Sequence, residues 1–219
     1  MTPHRYQLLV FDWDGTLMDS EATIVHCLEL AIEQLQLPSR RRDELKNIIG
    51  LGLREAVESL YPGESESFFN QFVTAYRHHF LGGHCQESAL FEGVVDLLRL
   101  LQRRGYLLAI ATGKGRKGLD RELERTGLGE LFVTSRCADE SFSKPHPQML
   151  LDIIDFCGCE VEQTLMIGDT EYDLEMAVNA GTDSMGVSYG VHAKERLLNH
   201  NPLLIMDSLT ELPQWLDSE

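Results

Sequence analysis

Three things are scarce in this chain of 219 residues: positive charge, long apolar runs and repeated or low-complexity sequence. Nineteen Lys and Arg stand against 35 Asp and Glu, a formal net charge of −16 at pH 7. That balance excludes a general nucleic-acid binder, which needs a basic face. The one basic run, Arg40-Arg41-Arg42, lies between Ser39 and Asp43-Glu44 and reads as the solvated start of a helix. No apolar stretch approaches the ~18–20 residues needed to span a membrane. Residues 1–7 lack the charged-then-apolar pattern of a signal peptide. A cytoplasmic location is the default expectation.

Metal-ligand patterns of the zinc type are missing as well. The five cysteines are Cys27, Cys85, Cys137, Cys157 and Cys159. An odd count without an export signal predicts reduced thiols, not a disulfide framework. Cys157-Gly158-Cys159 has no second ligand pair at zinc spacing, so Gly158 reads as a helix-ending residue. His78, His79 and His84 do not match zinc spacing either and are expected to be exposed or helix-terminal. The 43% of hydrophobic residues is ample for a core, in one large domain or two small ones.

The informative segment is Asp12-Trp13-Asp14-Gly15-Thr16, directly after the apolar run Leu8-Leu9-Val10-Phe11. A short apolar run bounded by Gly reads as a buried strand of a parallel sheet. In extended chain, residues i and i+2 point the same way, so Asp12 and Asp14 would share one side. Two close carboxylates repel unless a cation or shared proton offsets them. A carboxylate nucleophile beside a carboxyl acid/base, with a divalent metal, would use the pair. Asp-Gly is also a turn dipeptide, and the segment alone does not decide between the two.

Two further apolar runs end the same way. Leu107-Leu108-Ala109-Ile110-Ala111 runs into Thr112-Gly113-Lys114, and Thr164-Leu165-Met166-Ile167 into Gly168-Asp169-Thr170-Glu171-Tyr172-Asp173, with Ser143-Lys144-Pro145 between them. Three predicted strands thus finish in residues suited to phosphate and magnesium. The ordered set resembles the haloacid dehalogenase-like hydrolase superfamily, mostly phosphatases, from Gln7 to about Met206. The resemblance implies Asp12 as nucleophile and Asp14 as the acid that protonates the leaving alcohol and then activates water. It implies Mg2+ held by Asp12, the Asp14 backbone carbonyl and Asp169, with Asp173 binding a metal water or holding Lys144. A carboxylate satisfying a helix start is the other reading of Asp173. Thr112 and the Gly113 amide would bind phosphoryl oxygens, and Lys144 would hold nucleophile and phosphate together. Lys114 either reaches the substrate or, the preferred reading, belongs to a solvated first helical turn with Arg116 and Lys117.

Between residues 20 and 88 the strand signal disappears. Helices are predicted over 21–37, 41–49, 53–61 and 65–80, and from residue 91 helices and strands alternate. Later strands are expected near 132–134, 183–187 and 204–206. The expected fold is a Rossmann-like doubly wound parallel sheet with an inserted all-helical cap, residues 1–18 and 89–219 forming the catalytic core and 19–88 the cap. Gly50-Leu51-Gly52-Leu53-Arg54 resembles the cap loop that faces the active site, which makes Gly50 and Arg54 substrate-binding candidates, Arg54 for a carboxylate or second phosphate. Its bland alternative is a surface residue opening a helix.

The resemblance is nearest to the phosphoglycolate phosphatase-like group and implies a magnesium-dependent phosphatase of a small phosphorylated metabolite, acting as a monomer or weak homodimer. Asp14 argues against dehalogenation and phosphonate hydrolysis, which lack that aspartate; Lys46 is the only cap lysine available for the latter. A phosphosugar mutase shares the whole motif set and stays open. A non-catalytic phosphate-binding regulator would have no need of Asp12, Asp14 and Lys144 together.

Overall fold

The computed structural model describes residues 5–82, 85 and 87–218. In chain order the elements are β1 (Leu8–Phe11), β2 (Met18–Asp19), α1 (Glu21–Gln34), α2 (Arg42–Asn47), α3 (Leu53–Leu60), α4 (Glu66–Leu81) and β3 (Ala89–Leu90). They continue as α5 (Val94–Arg103), β4 (Leu107–Thr112), α6 (Arg116–Thr126), β5 (Thr134–Cys137), α7 (Gln148–Cys157) and β6 (Thr164–Gly168). The chain closes with α8 (Glu171–Ala180), β7 (Asp183–Val187), α9 (Lys194–Leu198), β8 (Ile205–Met206) and α10 (Leu212–Leu216).

β1 lies inside a six-stranded sheet of order β5-β4-β1-β6-β7-β8, in which every pairing is parallel. Its four residues are all buried because both faces of the sheet are covered. The period-2 alternation of a strand divides them between two cores. Leu9 and Phe11 join Leu97, Leu98 and Leu101 of α5. Leu8 and Val10 join Met149, Ile153 and Ile154 of α7 and Met176 of α8. The chain runs outward to β5 on one side and to β8 on the other. The loops leaving β1, β4 and β6 therefore part in mid-sheet, where open α/β sheets bind ligands.

The helices α1–α4 form an insertion between β1 and β4 with its own core, in which Leu28, Leu45, Ile49, Val57 and Phe72 pack. Its two stems are joined by β2 and β3, an antiparallel pair with Met18 opposite Leu90 and Asp19 opposite Ala89. These two-residue strands carry too little pattern to be read in sequence. α1 ends at Gln34, three residues short of the reading, because Gln36 takes a left-handed backbone (φ 53°) before Pro38 stops the chain. The strand expected near 132–134 lies instead at Thr134–Cys137, as an edge strand paired only with β4. Phe132 is spent on an edge-on contact with Trp13, ring centroids 6.4 Å apart.

The expectation of reduced thiols needs correction at one pair. Cys27 of α1 and Cys85 form a disulfide, S–S 2.04 Å, while Cys137, Cys157 and Cys159 are free. The β2–β3 pairing brings the outgoing and returning stems together, and the two cysteines lie a short way beyond it. Gly158 does end α7, at φ 65°. His78 and His79 close α4, while His84 falls outside the described residues. Among the described residues no helix is long and apolar enough to cross a membrane.

Candidate active site

β1 delivers Asp12 to the carboxyl edge of the sheet, and the Asp12 N–H is fixed by the Ile167 carbonyl at 2.9 Å. The following turn is tight: Leu17 and Met18 both donate their N–H to the Trp13 carbonyl. Gly15 takes φ 87° there, and a Cβ at this residue would strike the Asp169 carboxylate. β6 delivers Asp169 to the same place. Its Oδ1 accepts from the Thr16 hydroxyl at 2.8 Å and its Oδ2 from the Val191 N–H at 2.8 Å.

Lys144 enters from the loop after β5, preceding a cis peptide bond to Pro145. Its ammonium, fully buried, lies 2.6 Å from Asp12 Oδ1 and 2.5 Å from Asp173 Oδ1. Asp173 is engaged through both of its carboxylate oxygens. While Oδ1 holds Lys144, Oδ2 accepts from the Thr170 N–H at 3.0 Å and the Thr170 hydroxyl at 2.7 Å, closing a capping box at the start of α8. Oxygens of Asp12, Asp169 and Asp173 lie within 4.8 Å of one another, and all three residues are buried.

Three carboxylates around one ammonium leave an excess of buried negative charge. Burial pushes the Asp12 carboxyl well up; Lys144 opposes this, and the Asp173 and Asp169 charges raise it again. Asp169 is pushed up to about 7, by burial first and the Asp173 charge second. Burial works against the Lys144 charge, but Asp12 and Asp173 outweigh it and hold the ammonium protonated. Asp12 Oδ2 is buried without a hydrogen-bond partner. A hard divalent cation fits this site: it takes carboxylate oxygens, relieves their repulsion and gives the orphaned oxygen a partner.

Asp14 is turned to other partners, Ser20 Oγ donating to Oδ1 at 2.7 Å and Lys114 Nζ lying 3.0 Å from Oδ2. Lys114 is therefore not part of a solvated turn. Its side chain is 8% exposed and its ammonium rests 4.5 Å from the centre of the Phe80 ring. The Thr112 hydroxyl accepts from the Lys114 N–H at 3.1 Å. Gly113 sits directly beneath the loop after α2, where an added Cβ would come within 2.6 Å of the Leu51 carbonyl oxygen. The Gly52 N–H donates to Ser143 Oγ at 2.8 Å, fastening the same loop to the core.

Asp12, Asp14, Gly50, Thr112, Gly113 and Lys114 line one cavity of about 170 Å³ between the sheet edge and the insertion. Arg54 does not, which corrects its place in the substrate-binding set. It lies on the outer face of the insertion, 58% exposed, in a two-pronged ion pair with Glu66 at 2.8 and 2.9 Å and over the Phe69 ring. The glycine loop locates Arg54 in sequence, but as second residue of α3 it points out of the helix face opposite the cavity. Sequence reasoning missed Ser20, Thr16, Tyr76 and Phe80. Thr16 belongs to the first motif and could have been found there; Tyr76 and Phe80 carried only the helical spacing of core residues.

The family model described as haloacid dehalogenase-like hydrolase matches residues 9–187. The chain belongs to the haloacid dehalogenase-like hydrolases. It is similar to the "Probable phosphatase IndB" of Dickeya dadantii, 35% identical over 211 residues, covering 94% of this chain and 91% of that protein. It is also similar to a protein named phosphoglycolate phosphatase from Agrobacterium fabrum, 28% identical over 214 residues, covering 94% and 90%. A haloacid dehalogenase-like family hydrolase from Streptococcus pneumoniae shares the fold, with a TM-score of 0.83 at 24% identity over 96% of this chain and 98% of that one.

Proposed function

We propose that this haloacid dehalogenase-like hydrolase is a magnesium-dependent phosphatase of small phosphomonoesters that works through an aspartyl-phosphate. The observation that carries the reading is Asp12: buried at the end of the central strand, held on one oxygen by Lys144, with its other oxygen unpartnered beside the cavity. A carboxylate kept in one place by a cation suits phosphoryl transfer, which asks the protein to align an in-line attack and neutralise the phosphoryl oxygens.

Asp12 attacks phosphorus, its bond to the ester oxygen breaks, and Asp14 gives a proton to the departing alcohol. Asp14 then takes a proton from the water that attacks the same phosphorus, releasing phosphate and restoring Asp12. Thr112 and the Gly113 N–H receive phosphoryl oxygens, and Lys144 keeps nucleophile and phosphate from repelling each other. Asp12, Asp169 and the Asp14 carbonyl would hold Mg2+, which supplies positive charge for the phosphoryl oxygens. The helical insertion acts as a cap: Gly50 and Leu51 close over Gly113, and in that position the cap excludes bulk water. Residues 19–88 form the cap on this reading, and residues 1–18 with 89–219 the catalytic core.

The test is phosphate release from a panel of small phosphomonoesters with and without Mg2+, beside Asp12→Asn. Release that requires Mg2+ and falls at least ~10³-fold in the variant is expected. Full activity in Asp12→Asn would overturn the assignment.

A further inference from the structure

The part of the cavity wall that the insertion supplies is mostly hydrocarbon. Ile24 and Leu28 of α1, Ile49 and Leu51 of the loop after α2, and Tyr76 and Phe80 of α4 line it. The two rings are stacked, centroids 5.6 Å apart and 21° from parallel, and both line the cavity. The cations that could meet a carboxylated leaving group are spent or distant. Lys114 is paired with Asp14, and Arg54 is paired with Glu66 on the outer face. Among the described residues, the other cations lining the cavity, apart from Lys114, are Arg77 and Lys117, both solvent-exposed and so at its mouth. Asp139 adds negative charge to the lining. A carboxylate next to the phosphate would lose its water among aliphatic side chains and gain no ion pair.

Resting on the phosphatase reading above, we propose that the substrate carries its phosphate on a short apolar alcohol bearing a ring, and not on a carboxylated one. The size agrees. The 170 Å³ here also takes the phosphoryl group beside Asp12 and Thr112, so the room left suits one small apolar group and not a two-part nucleoside. Tyr76 and Phe80 give that group aromatic side chains to pack against. Tyr76 and Phe80 are then specificity residues, acting on the leaving group and not on the phosphoryl.

The experiment compares kcat/KM for benzyl phosphate, cyclohexylmethyl phosphate, phosphoglycolate and glycerol 1-phosphate, all esters of primary alcohols. The ring-bearing esters should lead phosphoglycolate by about tenfold or more, the scale on which apolar pockets discriminate. Phe80→Ala should remove most of that lead, and Phe80→Leu should restore part of it. Calorimetric binding of benzylphosphonate against phosphonoacetate provides a readout independent of turnover, with benzylphosphonate expected to bind more tightly. Phosphoglycolate as the best ester, or phosphonoacetate as the tighter ligand, would overturn the inference while leaving the phosphatase standing. No hydrolysis of any ester would sink the phosphatase reading itself, and the binding comparison would then decide the pocket's preference alone.

Discussion

Lys144 holds two carboxylates at once, and a third stands within 4.8 Å of them. This imbalance has a measurable sign. A carboxyl raised by folding stabilises the protein at pH below its unfolded value, and that stabilisation is lost as pH climbs through the folded value. For Asp169 the folded value is about 7, so in the metal-free protein the loss falls between roughly pH 4 and 7. Thermal unfolding in chelator should therefore show stability declining from pH 5 to pH 7.5. Mg2+ should raise Tm more at pH 7.5 than at pH 5, because only ionised carboxylates hold the cation. An equal shift at both pH values would contradict the charge balance described here. At this scale the sequence was informative wherever a side chain ends a central strand: Asp12, Thr112 and Asp169 follow apolar runs that fix their position. It was uninformative for Lys114 and Arg54. Spacing names their loop, but whether each turns inward depends on partners more than ten residues away or on another element, Asp14 for Lys114 and Glu66 for Arg54.

The loop after α2 rests on the strand end at Gly113 with no room for a side chain. Gly113→Ala should lift that loop and the helices behind it. We expect kcat/KM to fall by ~10²-fold, the effect of misplacing a site by about 1 Å. The fold should persist and proteolysis in the 48–53 segment should become faster. Unchanged kcat/KM would show that the loop does not need to close. Among the elements, β1, β4, β6 and the four insertion helices were legible because their apolar period is long enough to declare itself. β5 was displaced in the reading because an edge strand bearing Thr134, Ser135 and Arg136 shows no apolar run, and Phe132 nearby mimics one. β2 and β3 are set by the pairing of the two stems, information that no two-residue window contains.

Across the whole molecule, the disulfide between Cys27 and Cys85 spans 58 residues and so encloses nearly the entire insertion. Thiol titration of the unfolded, unreduced protein should find three reactive cysteines and, after reduction, five. Five before reduction would contradict the pairing. The doubly wound sheet and the inserted helices follow from the alternation of patterns along the chain, so the fold was largely readable. The cavity was not, because its walls come from α1, α4 and the loop after α2, brought together by the insertion's own core. The central claim is that Asp12 takes the phosphoryl group covalently. Its most direct test is acid quenching during turnover, followed by proteolysis and mass spectrometry of the peptide containing Asp12. The account predicts one phosphoryl group on Asp12, absent in Asp12→Asn and absent without substrate. Steady phosphate release with no adduct on Asp12 at any quench time, and with Asp12→Asn still active, would contradict it.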